Sequence, residues 1–374
     1  MADEKAWLAE RMSHIDASGI RKVFDLAAKL KDPINLSIGQ PDFDVPEACK
    51  DRAIAAIRAG RNSYTVTQGS ADLRDAIAAD LRREFGRFDG PVLVTSGVSG
   101  GLLLALEATV NPGDEVIIFD PYFVMYKHLV NMIGAKPVFV DTYPDFHLPV
   151  DRLEAAITPR TRLIILNSPN NPTGAVLSPE DLAAAVAVAK RHNLLVISDE
   201  CYNGFCYDSP FASPWPLYDR VILLRGFSKT YAMTGWRLGY AMGPTPIIQA
   251  MTTLQQYTFV CGPAPLQAGA VAAFETDPAA RIEDFRERRN MIYEGLSERF
   301  RVVKPGGAFY IFPEAPGGSG TRFVARAIEA GVLIIPGGVF SERDTHLRIS
   351  YAASRETIRR GLEALNKLAG EMGA

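Results

Sequence analysis

The 374-residue chain is 47% hydrophobic and 22% charged, with a net charge of -3. This is ordinary globular composition with material for about two domains. A slightly acidic chain lacks the basic footprint of a nucleic-acid partner, and no apolar stretch approaches the roughly 18 residues that span a bilayer.

The chain opens with "MADEKAWLAERMSHI", charged throughout and without an apolar signal core, as expected of a cytoplasmic protein. From about residue 70 helical and strand patterns alternate. "SADLRDAIAADLRREFG" is amphipathic at helical spacing and "PVLVTSG" is a short β-rich run. "GGLLLALEATV", "DEVIIFD" and "PYFVMYKHLVNMIG" read as helix, strand and helix, and "KPVFVD", "TRLIILNS", "LLVISD" and "RVILLRG" as further strands, with a helix at "SPEDLAAAVAVAKRHN". The strand runs lack period-two alternation, so helices should cover both faces of a mostly parallel sheet, an α/β architecture. Past about residue 276 the texture changes. A long charged helical pattern leads to the strand-like pieces "GAFYIFP", "GVLIIPG" and "THLRISYA", accompanied by two more helical patterns. The expected layout is a large α/β domain over 36–275 and a smaller α+β domain over 276–374, joined by an arm over 1–35.

The densest basic cluster, "RERR" at 286–289, lies beside Glu283, Asp284 and Glu287 and reads as a solvated, ion-paired face. Cys49, Cys201, Cys206 and Cys261 are few and scattered, as expected of reduced thiols. His14, His128, His147, His192 and His346 show no metal-ligand spacing; His192 falls near a helix carboxyl end, where its charged form is favoured.

In an open parallel sheet, ligands bind beyond the carboxyl ends of the strands. Asp199 ends one run, Asn167 and "SPNNPTG" follow another, Ser228 and Lys229 follow "VILLRG", and "TSGVSGG" ends the first. Each has a plain explanation as strand terminator, turn or helix cap; their shared edge points to a site. The hydroxyls and free N–H groups at the start of a helix suit a phosphate. A sheltered lysine that loses its proton attacks carbonyls. A phosphate site with such a lysine suggests pyridoxal phosphate, whose ring nitrogen needs an acidic partner, and Asp199 is the candidate.

The segments "NSPNNPTG", "SDECY", "FSKTYAMTGWRLGY" and "LRISYA", in that order, complete the pattern. From "INLSIGQPDF" to "HLRISYAAS" the sequence resembles the class I, fold-type I aminotransferases of the aspartate aminotransferase type. The resemblance implies that Lys229 binds the cofactor as an internal aldimine and shuttles the substrate proton, while Asp199 holds the pyridine nitrogen. It further implies that Asn171 and Tyr202 hydrogen-bond the cofactor's phenolic oxygen, that Gly97, Val98 and Ser99 with Ser228 and Arg237 cradle the phosphate, and that Phe123 stacks on the ring. Arg348 would pair with the substrate α-carboxylate, aided by the backbone at Gly39. Tyr64 would reach the neighbouring subunit's phosphate site, which implies a homodimer. Two features depart from the family pattern: Gly226 replaces a common phosphate-binding serine, and no arginine is placed for a distal carboxylate.

Plain readings stand beside these: Phe123 as core, Tyr64 as an ordinary surface residue, Asn171 as turn chemistry. The expected activity is transfer of an amino group from an L-amino acid to a 2-oxo acid, 2-oxoglutarate or similar, by a ping-pong mechanism. The alternatives are another enzyme on the scaffold, such as a carbon–sulfur β-lyase or a cyclopropane-forming synthase, and a non-catalytic module that senses the cofactor.

Overall fold

The structure is a computed structural model and describes residues 7–16, 19 and 32–373. Most of the expected arm over 1–35 therefore lies outside the described residues. In chain order the strands are β1 (Ile34–Asn35), β2 (Val92–Ser96), β3 (Glu115–Asp120), β4 (Lys136–Asp141), β5 (Thr161–Asn167), β6 (Leu195–Asp199), β7 (Val221–Gly226), β8 (Leu238–Met242), β9 (Tyr310–Ile311), β10 (Val332–Leu333), β11 (Ile335–Pro336) and β12 (Leu347–Ser350). Seven of them form one sheet in the order β2-β8-β7-β6-β5-β3-β4. Only β8 runs against its neighbours.

The six expected runs supply the parallel members of that sheet, and the reason they lack alternation is visible in the packing. Leu163 and Ile165 of β5 enter one apolar layer with Leu102, Leu106 and Met251. Ile164 and Leu166 of the same strand enter the opposite layer with Leu182, Val186 and Ala189. A strand buried on both faces needs no polar side. The helices that cover it start where local chemistry directs. Pro179–Arg191 begins at a capping box, in which Ser178 Oγ accepts from the Asp181 amide at 3.0 Å and Asp181 Oδ2 accepts from the Ser178 amide at 3.2 Å.

The seventh strand, β8, is not among the expected runs. It is five residues long, interrupted by Gly239, and follows a three-residue 3₁₀ turn over Thr234–Trp236. Its pairing comes from its place between β2 and β7 rather than from its own pattern. A second, smaller sheet has the order β11-β12-β9, and β1 pairs in parallel with β10. Ser350 and Leu36 continue that junction through a 2.8 Å backbone hydrogen bond, which brings residues 36–39 alongside β12.

The basic run at 286–289 is only partly the solvated face expected. Arg286 pairs with Glu283, and Arg288 with Asp42 and Asp284. Arg289 is instead buried and grips Asp208 with two hydrogen bonds of 2.7 and 2.8 Å. The helix Ala279–Ser297 turns its Phe285, Ile292 and Leu296 inward, and Arg289 lies on that same side. His192 caps the carboxyl end of its helix as expected and meets Glu154. Among the described residues, no helix is long and apolar enough to cross a membrane.

Beneath the carboxyl edge of the sheet lies a closed ion network. Arg225 of β7 is buried, donating from Nε to Glu200 Oε2 at 2.8 Å and from Nη2 to Glu84 Oε1 at 2.7 Å. Glu200 is also buried and accepts from the hydroxyls of Ser198 and Ser213. Removing one member of such a pair leaves an uncompensated buried charge. Arg225→Met should therefore lower unfolding free energy by about 3–5 kcal/mol, with much of the loss recovered when Glu200→Gln is added. Urea denaturation of the two variants checks this, and a loss below about 1 kcal/mol, the scale of a surface pair, would contradict it.

Candidate active site

The polar residues singled out at strand ends converge because the strands that carry them are neighbours. Asn167 and Asp199 are register partners at the ends of β5 and β6. Ser228 and Lys229 follow β7, and Gly97 follows β2 as the first residue of the helix Gly97–Thr109. Because β8 is antiparallel, its first residue lies at the same edge as the last residues of its neighbours. Arg237, just before β8, is thereby delivered to the site. The result is a cavity of about 300 Å³, within reach of a small cofactor pocket. Val98, Ser99, Phe123, Asn171, Asp199, Tyr202, Ser228, Lys229, Arg237, Arg348 and Gly39 all line it.

Asp199 is fully buried. Its Oδ2 accepts from the Tyr126 hydroxyl at 2.6 Å and its Oδ1 from the Cys201 amide at 3.1 Å. Burial lifts this carboxyl from 3.8 to about 6, against those two hydrogen bonds and the nearby Lys229 charge. Lys229 Nζ donates to the Gly39 carbonyl at 2.6 Å and sits above the rings of Tyr202 and Phe309. The Tyr202 and Tyr310 hydroxyls meet at 2.9 Å, and burial pushes the Tyr202 phenol well above its ordinary range.

Arg348 is the most unusual charge in the molecule. It is 1% exposed, and its guanidinium lies between the Tyr310 and Phe340 rings at 4.6 and 4.5 Å. Nη2 donates to the Ser37 carbonyl at 2.8 Å and Nη1 to Asn171 Oδ1 at 3.2 Å. Nε is buried without a partner, and among the described residues no carboxylate pairs with this arginine. Desolvation depresses its pKa. A buried guanidinium with no paired carboxylate among the described residues and an unpartnered Nε can take a carboxylate ligand.

At the other end of the cavity the helix Gly97–Thr109 presents its first turn. Gly97 has a φ of +66°, and a Cβ there would come within 2.8 Å of Arg237 Nη2. Only glycine lets the guanidinium approach the helix start so closely. Gly97 thus abuts the pocket from behind Arg237 rather than lining it. Gly39 is restricted too, since a Cβ would meet the Tyr310 hydroxyl at 2.7 Å. Tyr64 is not brought into this cavity; it is 84% exposed on its own chain.

The structure adds residues that sequence reasoning missed. Tyr126 and Tyr310 carry no motif, and tyrosines in apolar runs read as core. Asn167 was noticed only as a strand end, yet its side chain donates to the Asp199 carbonyl at 3.1 Å and accepts the Asn171 amide at 3.0 Å. The backbone acceptor at Ser37 leaves no trace in side-chain patterns.

The sequence matches the family described as "Aminotransferase class I and II" over residues 31–365. The chain belongs to that family. It is 37% identical to "Probable aspartate aminotransferase" of Methanocaldococcus jannaschii, over 96% of this chain and 99% of the relative. It is 38% identical to "Aromatic-amino-acid aminotransferase 2" of Thermococcus litoralis, over 97% of this chain and 98% of that one. The solved structure of Thermus thermophilus aspartate aminotransferase with maleate matches with a TM-score of 0.92 at 35% identity, covering 96% of this chain and 99% of that chain. The protein is an aminotransferase of fold-type I architecture.

Enzymes of this family use pyridoxal phosphate, and the residues present fit that group. An aminotransferase site needs an amine within reach of a carbonyl, an anion cradle and an acid for the ring. Lys229 is such an amine, Arg237 a cation that suits an anion, and Asp199 such an acid, and all three line one cavity.

A buried acid without its cation costs stability. Because the Asp199 pKa is raised, its contribution is fully present below 3.8 and is lost as pH rises through about 6. Above that the penalty is on the order of 3 kcal/mol. Asp199→Asn apoenzyme should thus melt a few degrees above wild-type apoenzyme at pH 8, with the gain shrinking toward pH 4. Thermal melts across that range check it; a variant that melts lower at pH 8 would contradict it.

Proposed function

We propose that the protein is a pyridoxal-phosphate-dependent aminotransferase that moves an amino group from an L-amino acid to a 2-oxo acid, with 2-oxoglutarate as acceptor. Donor and acceptor take turns in one site, so that the first product leaves before the second substrate enters. The observation that carries this reading is the buried Arg348, whose unpartnered Nε and lack of a paired carboxylate among the described residues suit the α-carboxylate that every donor and acceptor shares. The family match and the relatives named above support the reaction class.

When bound, the cofactor supplies an aldehyde for amines and a protonated ring that takes up the electron pair released at the α-carbon. Lys229 Nζ would hold the cofactor at its carbonyl carbon and, as a free amine, would move the proton at the donor's α-carbon. Asp199 would hold the ring N–H and keep it charged. Asn171 and Tyr202 would bind the phenolic oxygen, and Phe123 would pack on the ring face. Gly97, Val98 and Ser99 with Ser228 and Arg237 would hold the phosphate. Arg348, helped by the backbone at Gly39, would orient the donor so that its α-proton faces Lys229.

The same proposal extends to assembly. Tyr64 would enter the phosphate site of a second copy, giving a homodimer in the cytoplasm with shared sites. Tyr64, Val66, Tyr257, Phe259 and Val260 are all exposed large apolar residues. Gln255 and Gln267 tie the two segments together, donating to the Thr67 carbonyl at 2.8 Å and to Thr65 Oγ1 at 3.2 Å. Within each chain, residues 36–275 would form the cofactor-binding domain, and 276–374 with the arm over 1–35 the smaller domain.

Stoichiometric conversion of the purified holoenzyme's absorption from the aldehyde to the amine form, with release of the matching oxo acid, tests the reaction. Release of ammonia and pyruvate from cysteine conjugates without that conversion would point to lyase chemistry instead. Arg348→Lys keeps the charge but not the planar fork. It should lower kcat/KM about 100-fold for every donor accepted; a drop confined to acidic donors would make Arg348 a side-chain reader and contradict its placement. Mixed Tyr64→Phe and Lys229→Ala protomers should regain activity above either variant alone, because one site in the hybrid is intact. A mixture as inactive as Lys229→Ala would contradict the shared site.

A further inference from the structure

Tyr126 lies in the second position of the helix Met125–Met132 and is 2% exposed. Its hydroxyl donates to Asp199 Oδ2 at 2.6 Å. The other carboxylate oxygen, Oδ1, takes the Cys201 amide at 3.1 Å. These two contacts pin the carboxylate plane at both oxygens. The torsion that turns this plane is intrinsically soft and two-fold, so without one pin the group can swing. The Tyr126 ring also meets Phe123 edge-on, with centroids 5.8 Å apart and planes at 84°. One side chain therefore touches both residues that would hold the cofactor ring, one at its edge and one at its face.

We propose that Tyr126 is a positioning residue that fixes Asp199 and Phe123 relative to each other, so that ring and acid meet in one geometry. The inference rests on the cofactor reading given above. The titratable groups facing Asp199 are Tyr126 from its helix, Cys201 from the turn after β6 and Lys229 from the segment after β7. Burial drives the Cys201 thiol up to about 12, which leaves it neutral at working pH. Among the described residues, Tyr126 is accordingly the one side chain that hydrogen-bonds the Asp199 carboxylate, while Lys229 donates to the Gly39 carbonyl. A hydroxyl donating to a carboxylate is among the stronger hydrogen bonds.

Tyr126→Phe deletes the hydroxyl and keeps the ring edge on Phe123. Titration of apoenzyme with pyridoxal phosphate should show affinity weakened roughly 10-fold, with kcat lowered about as much and the donor KM within about twofold. In an Asp199→Asn background the same change should move cofactor affinity by less than about twofold, since the carboxylate it acts through is gone. An unchanged affinity in the single variant, or an equal loss in both backgrounds, would overturn the positioning role. Should the single variant fail to fold while the double variant folds, the hydroxyl is acting on the buried charge, as proposed; failure of both to fold would make Tyr126 a packing residue and overturn it. If wild-type apoenzyme takes up no pyridoxal phosphate at all, it is the cofactor reading that fails.

Discussion

An ionised side chain taken out of water must find compensation within the fold or wait for a ligand to supply it. This protein does both. Arg225 is closed by Glu200 and Glu84, and Arg289 by Asp208. Arg348 and Asp199, equally buried, are given hydrogen bonds but no opposite charge of their own beyond the nearby Lys229. The first set of charges is paired within the fold, and the second is held by hydrogen bonds without a dedicated counter-charge among the described residues. Desolvation works against the charged form of both groups, and a ligand that supplied the missing partner would relieve that cost.

The sheet makes the juxtaposition possible. Parallel strands end at one edge, and β2, β3, β4, β5 and β6 end there in Ser96, Asp120, Asp141, Asn167 and Asp199, polar residues unsuited to the apolar layers on either face. β8 then adds a second route to the same edge, because an antiparallel strand begins where its neighbours finish. The junction of residues 34–39 with β10 and β12 brings the Ser37 carbonyl onto Arg348 and the Gly39 carbonyl onto Lys229. Both cationic groups are thus registered by backbone oxygens of a single short segment.

Much of this was legible in the sequence. Runs such as "RLIIL" and "VILLR" reveal doubly buried strands through their lack of alternation, and the polar residues that terminate them mark the ligand edge. What was not legible has a physical reason in each case. β8 is specified by its neighbours rather than by its own composition. Arg289 is part of a charged stretch, and nothing in a linear pattern distinguishes an inward arginine from its ion-paired neighbours Arg286 and Arg288. Tyr126 and Tyr310 contribute hydroxyls at contacts set by tertiary packing, while their rings satisfy the apolar pattern around them. Tyr64 stands exposed outside the cavity of its own chain, so neither burial nor a local contact marks it.

The central claim is that Lys229 is the residue that bonds the cofactor. Holoenzyme treated with borohydride and digested should carry a pyridoxyl group on the peptide containing Lys229, with Lys127 and Lys190 unlabelled. Label on any other lysine, or none on a cofactor-loaded protein, would contradict the account.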